Sequence, residues 1–479
     1  MTDLALERPT RSLAAVAVVA AYAALGTILL ITRFVGLNHS FWLDELVFAK
    51  YFVREGPWEI LTGPGVSHEL MAMLCWVTSL FTGESEVAFR LWSVVPFVAG
   101  VAIVTAWLHS RLSALSGLLF LYLVVVSPLL LDITRQARGY GLAFFAMSIL
   151  MVAALEAVRT GRSAALVAMC AAGVIGTWTL PQFGLAFVTT AVVVAADKSV
   201  RRRMAVGLGI SILAMTAWYA QHIGNVHDAS HMHDGLQIST RWLITAPIDQ
   251  IVLPGLIWID GTAAVPSLVW LPLVAAVALV AAASPLVRDR QSLLVLTAGL
   301  IATVLVLWLG RAFVIPRYLS FFLVPAFIVL GSGAAALIAN ARSRSTMLGT
   351  LICVVTGVVL CLRFITIAPD VVRLPREANR DAVSVITSEA PPTTPVFVYV
   401  RIPETIAYYL GRPVQPLTDP ATVAERVCGN VVRVAYVWQP YHLREVDVPC
   451  LSRAGVRHYR FRQYARGNEI DVWLVPPAS

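Results

Sequence analysis

The sequence predicts a polytopic α-helical membrane protein with a small water-facing α/β domain at its C-terminal end. Three observations carry this expectation. Of 479 residues, 58% are hydrophobic and 13% charged, whereas soluble domains carry about 45–50% apolar and about 25% charged residues. A hydrocarbon core about 30 Å thick takes about 20 apolar helical residues per crossing, and such runs recur from Leu13 to about Phe364. From Ile365 to Ser479 charges, prolines and short alternating stretches return, which divides the chain into a membrane part, 1–364, and a water-facing part, 365–479. This composition excludes a single water-surrounded globule, a disordered chain and a disulfide-stapled secreted scaffold.

The first apolar run, 12–32, follows Arg8 and Arg11 and lacks a small-residue cleavage site after a short core. It reads as a retained helix with its N-terminus in the cytoplasm. Ten further helices are expected near 88–108, 112–131, 139–158, 163–180, 182–197, 204–221, 265–286, 291–309, 318–339 and 346–364, about eleven in all. The connections at Arg111, Arg159 to Arg162, Lys198 to Arg203, Arg288 to Arg290 and Arg342 to Arg344 then share one side. By the positive-inside rule that side is the cytoplasm.

Counting 66–81 as a crossing would move those arginines outside. With about 16 residues including His68 and Glu69 it is short and polar for a span, so it is expected as a re-entrant or interfacial helix within an outer loop, 33–87. Residues 243–259, broken by Pro247 and Pro254, read the same way. The odd count places the C-terminal domain outside. The formal charge of +8, from 36 basic and 28 acidic residues, therefore reads as an orientation signal and not as a nucleic-acid surface. Cys75, Cys170, Cys353 and Cys361 lie in apolar helices, while Cys428 and Cys450 fall in the exported part, where a disulfide and two free thiols both fit.

In the tail, 396–400 and 431–438 read as strands, and 458–464 with 470–475 as a hairpin around Arg466-Gly-Asn. Helical patterns near 376–389, 403–411 and 418–428 complete a small layered α/β domain. It carries no nucleophile triad, Gly-rich phosphate loop or CxxC pair. A positioning or acceptor-recognition role follows.

The expected outer face collects the residues suited to chemistry. Asp44 and Glu45 open an amphipathic stretch after Trp42. Acids at a helix start favour its dipole, so a capped interfacial helix is one reading; a carboxylate facing a membrane-level cavity as general base is the other. Adjacent helical residues point about 100° apart, so the two carboxylates do different jobs. A second group, Asp132 to Gly141, holds Arg135, Gln136, Arg138 and Tyr140. Charges at that depth line a protein interior or a wet pathway, and guanidinium matches phosphate oxygens, with snorkelling as the bland alternative. A third group, Arg311 to Leu319, adds Arg311, Arg317 and Tyr318 beside Pro316. An electropositive mouth beside a carboxylate suits an anionic lipid-linked donor.

The order of these motifs resembles the GT-C glycosyltransferases, in the branch with the protein O-mannosyltransferases and the lipid A aminoarabinose transferase. The resemblance rests on Trp42-Leu-Asp44-Glu45, on His68 opening an apolar half-helix, and on Gly83 to Arg90. It continues through Ser127-Pro, Gln136-Ala-Arg138-Gly-Tyr140 and Pro316-Arg317-Tyr318-Leu319. Arg376 to Val383 resembles the start of the family's exported tail. The resemblance implies inverting transfer of a sugar from a polyprenyl-phosphate carrier to an extracytoplasmic glycan, lipid or protein on the outer face, and the alanine, valine and arginine bias points to a bacterial plasma membrane. By it, Asp44 is the base and Glu45 orients the acceptor or a metal. Arg138, Arg317 and Arg311 hold the donor phosphate, and His68, Asp132, Gln136, Tyr140 and Tyr318 line or position the substrate. Gln136 stands where the family often has an acid, and His68-Glu69-Leu70 where it has a His-Pro-Pro-like start.

Some members of the family use a divalent metal, and His227, His231, His233 and Asp234 have ligand chemistry; a solvated polar loop is the commoner reading of such spacing. The aromatic groups at Trp218-Tyr219 and Trp242, and the isolated Trp258 and Trp270, read as interface-belt residues in preference to a sugar platform. Two other classes compete with the transferase. A transporter or flippase of a lipid-linked sugar would carry polar or broken-helix sites near the bilayer centre and an internal repeat, and no fixed-period repeat is present. A noncatalytic envelope-assembly protein would use the carboxylate pair structurally.

Overall fold

The computed structural model describes residues 8–63, 68–219, 267–309, 316–341, 344–400, 403–439, 448–463 and 469–477. The chain forms two compact units: 1–34 with 52–368, and 35–51 with 369–479.

The first unit is helical. The α-helices described before the sheet are α1 (Arg8–Phe34), α2 (Leu43–Phe48, which belongs to the second unit), α3 (Pro57–Thr62), α4 (Glu69–Thr82), α5 (Glu86–Arg111), α6 (Ala114–Val126), α7 (Pro128–Ile133), α8 (Tyr140–Thr160), α9 (Ser163–Thr179), α10 (Phe183–Ala195), α11 (Arg201–Tyr219), α12 (Ser267–Ala283), α13 (Pro285–Arg288), α14 (Arg290–Leu309), α15 (Leu323–Ala339) and α16 (Arg344–Arg373). Each of the eleven expected helices is present. Among the described residues six helices are long and apolar enough to cross a bilayer by length and composition: Ala15–Phe34, Glu86–Arg111, Tyr140–Thr160, Arg290–Leu309, Arg317–Ala339 and Met347–Arg373.

Three boundaries differ from expectation, each for a local reason. The helix expected over 112–131 breaks at Ser127-Pro128. There Ser127 ends α6 and its hydroxyl accepts from the Leu130 amide at 3.3 Å, opening α7 with Pro128 in its first turn. The helix expected from 318 begins instead as a 3-10 turn, Pro316–Phe322. The last span runs on to Arg373, past the expected end at 364 and through Pro369.

Burial separates the helices by role. α8 is buried on most of its faces and packs against α5 and α9. Gly141 permits the α5 contact: a Cβ there would meet the Ser93 carbonyl oxygen at 2.1 Å, and small residues let membrane helices approach closely. α16 instead exposes Met347, Leu351, Val354, Val355, Val358 and Leu362, as a helix facing lipid does.

In the second unit a five-stranded sheet has the order β2-β1-β3-β5-β4, with β1 (Val396–Tyr399), β2 (Gln415–Pro416), β3 (Val434–Trp438), β4 (Arg457–Arg462) and β5 (Glu469–Val475). β1 pairs in parallel with β2 and β3, while β5 runs antiparallel to β3 and β4. The register pairs Phe397 with Tyr436. Side chains alternate across the pleat. Val396, Val398, Ala435, Val437, Val472 and Leu474 pack with α17 (Asn379–Glu389) and α18 (Glu404–Leu410) on one face. Phe397, Tyr399, Val434 and Tyr436 pack with α19 (Pro420–Cys428) on the other. A disulfide joins Cys428 to Cys450 with Cα atoms 5.5 Å apart. It settles the alternative left open by the sequence.

Candidate functional site

In the membrane unit a buried histidine gathers cations. His68 precedes α4 and is 1% exposed. Its ring meets Tyr140 edge-on with centroids 5.0 Å apart and lies near-parallel to Tyr318 at 6.2 Å. Tyr140 and Tyr318 are themselves 6.1 Å apart, and the Arg317 guanidinium lies 5.7 Å from the Tyr318 ring centroid. Arg138 and Arg317 both act electrostatically on the imidazole. Neither His68 ring nitrogen meets a partner in hydrogen-bond geometry among the described residues.

Local sequence explains the convergence. Gly139, between Arg138 and Tyr140, passes so close that a Cβ would stand 2.9 Å from His68 Nδ1 and 2.5 Å from Thr179 Cγ2. Glycine is the residue that fits this approach. The 3-10 turn that opens at Pro316 packs against α7, α8 and α15 and delivers Arg317 and Tyr318. Arg135 and Arg138 are each only 8% exposed. Asp132 and Gln136, both buried, join one helical turn apart as Gln136 Nε2 donates to Asp132 Oδ1 at 3.0 Å. Arg311 lies outside the described residues.

Sequence reasoning passed over two neighbours. Arg33, in the last turn of α1, is fully buried; it donates to Thr32 Oγ1 at 2.8 Å and the Val124 carbonyl at 3.2 Å, and lies 5.6 Å from the Phe97 centroid. At the end of a first span it looks like an orientation charge, and the distant Phe97 contact leaves no local signal. Glu69, 2% exposed, accepts from the Trp218 indole N–H, while Tyr219 donates to the Thr177 carbonyl at 2.6 Å. Trp218 also stacks on Trp178 with centroids 4.5 Å apart. The pair Trp218-Tyr219 is therefore an internal hydrogen-bonding element and not an interface belt. Trp242 and Trp258 lie outside the described residues.

In the second unit, α2 carries the acidic pair. Glu45 is fully buried and its carboxylate accepts from the Trp42 amide at 3.2 Å, capping the helix start. Asp44, the neighbouring residue, remains partly exposed. The tail holds this segment in place. The Ser40 hydroxyl donates to the Glu377 carbonyl, Arg380 donates to the Asn38 carbonyl at 3.0 Å, and the Phe41 amide donates to the Tyr409 hydroxyl at 2.5 Å. The Arg376 guanidinium sits 4.1 Å from the Trp42 ring centroid, a cation–π arrangement. Burial pushes the Tyr409 phenol above its usual ionisation range, with the Glu45 charge adding to the shift; it stays a neutral hydroxyl.

Among the described residues no three His, Cys, Asp or Glu side chains gather to hold a metal ion. His227, His231, His233 and Asp234 fall outside those residues.

No family profile matches the sequence, and no curated protein sequence matches it. Solved structures do match. ArnT from Cupriavidus metallidurans in the apo state aligns with a TM-score of 0.57 at 15% identity, covering 96% of this chain and 98% of that one. The same protein bound to undecaprenyl phosphate aligns at 0.53 and 15% identity, covering 95% and 97%. At this identity the likeness establishes the fold, over nearly the whole of both chains.

Proposed function

We propose that this chain, a multi-pass membrane protein with the fold of a GT-C glycosyltransferase, is an inverting transferase that moves a sugar from a polyprenyl-phosphate donor to an extracytoplasmic acceptor. The observation that carries the reading is the convergence of Arg138 and Arg317 on buried His68, walled by Tyr140 and Tyr318. Arg138 is buried and Arg317 half-buried, and cations withdrawn from solvent at membrane depth mark a polar ligand. ArnT, which shares the fold, has been solved with undecaprenyl phosphate, the same chemical class as the proposed leaving group.

In the reaction, the acceptor hydroxyl loses its proton to the Asp44 carboxylate while its oxygen bonds to the anomeric carbon. The bond from that carbon to the phosphate oxygen breaks, and the lipid phosphate leaves with the electron pair. Negative charge grows on the phosphate, where Arg138 and Arg317 are already in place, so the transition state is stabilised more than the ground state. Glu45 supports the base by fixing the first turn of α2. In this reading the chemistry lies on the outer face of a bacterial plasma membrane, with the N-terminus inside and the 369–479 domain outside, an orientation supported by the arginines shared among one set of loops.

The test presents purified protein in lipid with a panel of radiolabelled polyprenyl-phosphate sugars and envelope acceptors. Label should move to one acceptor class, and Asp44→Asn should reduce transfer at least about a thousandfold while the protein still inserts and folds. Full activity in Asp44→Asn sinks the base assignment; carriage of intact lipid-linked sugar across the bilayer without bond cleavage sinks the transferase.

A further inference from the structure

A second site lies away from the cation cluster, in the groove between α9 and α11. Its volume is about 970 Å³, and its walls are Leu166, Val167 and Val174 from α9 with Val206, Ile210 and Ala214 from α11. Its polar Ser211 is satisfied within α11, donating to the Gly207 carbonyl at 2.9 Å. From Ser163 to Ile175 the groove runs about 18 Å along α9, close to the hydrocarbon depth of one leaflet, about 15 Å.

At one end the character inverts. Arg202 and Arg203 line the groove there, beside Arg162, Lys198 and Arg201, with Asp197 the lone acid of the two connections 160–163 and 196–200. Two of the arginines are committed to the fold. Arg203 donates to Ser163 Oγ at 2.7 Å and to the Ser199 carbonyl at 3.1 Å, and Arg201 donates to the Ala195 and Ala196 carbonyls at 3.2 Å each. Arg202 is exposed and has no hydrogen-bond or ion-pair partner among the described residues.

We propose that this groove binds an anionic phospholipid of the surrounding bilayer, with an acyl chain along the apolar walls and its phosphate at Arg202. Basic pockets between membrane helices on the cytoplasmic side suit anionic head groups. A second copy of the chain is a poorer occupant, because a self-complementary contact through this face would set one arginine cluster against another. The site is independent of the sugar-transfer reading.

The test is native mass spectrometry of the full-length protein, delipidated in neutral detergent and titrated with dioleoyl phosphatidylglycerol or dioleoyl phosphatidylcholine. Phosphatidylglycerol should bind about tenfold more tightly than phosphatidylcholine. Arg202→Glu should erase that preference, and Ala171→Phe, which fills the groove from its exposed wall and leaves the charge unchanged, should lower retention of both lipids. Arg162→Glu removes equal charge from the same surface outside the groove and should leave the preference within about twofold. Equal binding of the two lipids, an Arg162→Glu effect as large as that of Arg202→Glu, or a wild-type dimer that Ala171→Phe splits would each overturn the proposal.

Discussion

The cation cluster of the membrane unit and the acidic segment of the second unit are organised by different physics. His68, Arg138 and Arg317 come from three stretches far apart in sequence, brought together by close packing, ring contacts and a glycine with no room for a side chain. Asp44 and Glu45 sit on a helix of six residues, too short to be stable alone. Directional contacts from Arg376, Glu377, Arg380 and Tyr409 secure their segment. The proposed anion grip is thus a property of the helical bundle, and the placement of the proposed base a property of the C-terminal domain. The tail of this chain has a positioning role toward its own acidic motif.

The strongest way to break that comparison is to strip the grip. Arg138→Ala combined with Arg317→Ala should lower transfer by about a thousandfold or more, since losing a single preorganised donor costs about a hundredfold to a thousandfold. Binding of undecaprenyl phosphate, read by calorimetry, should fall with it, while the acidic segment keeps the protease resistance of the wild type. Near-normal donor binding in the double variant would show that the cluster is structural. Gly139→Ala comes next. Its methyl group must displace His68 or Thr179, and a misplacement of about 1 Å can cost about a hundredfold; a loss smaller than about threefold would mean the imidazole position is irrelevant to turnover.

Much of this difference was legible in the sequence, but unevenly. Apolar run length and flanking arginines located the eleven expected helices, and short runs of β-branched and aromatic residues located β1, β3 and the β4–β5 hairpin. The strand β2, two residues that include Pro416, carries no alternation to read. The motif residues His68, Arg138, Tyr140, Arg317 and Tyr318 were recognised singly, whereas their meeting depends on helix packing that no local pattern encodes. Arg33 and the Glu69–Trp218 contact were missed for the same reason: a charge beside a span and a Trp-Tyr pair at a helix end have ordinary explanations until the partner 149 residues away is seen. Likewise, Arg376 and Arg380 resembled a tail motif, but their purpose appears only with Trp42 and Asn38 opposite them.

The disulfide offers a test confined to the C-terminal domain. It closes a 22-residue separation between the end of α19 and the turn at Pro449–Ser452, which by loop-closure entropy is worth about 3 kcal/mol. Cys428→Ala with Cys450→Ala should therefore lower the melting temperature of the tail. Loss of transfer should follow the tail's unfolding on heating, with undecaprenyl phosphate binding persisting above it. If binding and transfer fail together at one temperature, the two regions are not separable in the way their contacts imply.

The smallest expected effect is the sharpest. Tyr409→Phe keeps the ring beside Arg380, whose guanidinium lies 5.6 Å from its centroid, and removes only the oxygen that accepts from the Phe41 amide. A net hydrogen bond is worth about 1 kcal/mol, or about fivefold. Phe41 lies three residues before Asp44, so that loosening reaches the base without touching it. The expected signature is a kcat reduced about fivefold with donor binding unchanged. A fall in donor affinity of the same size would mean that the C-terminal domain also shapes the anion grip, and the division between packing and directional contacts would no longer describe the protein.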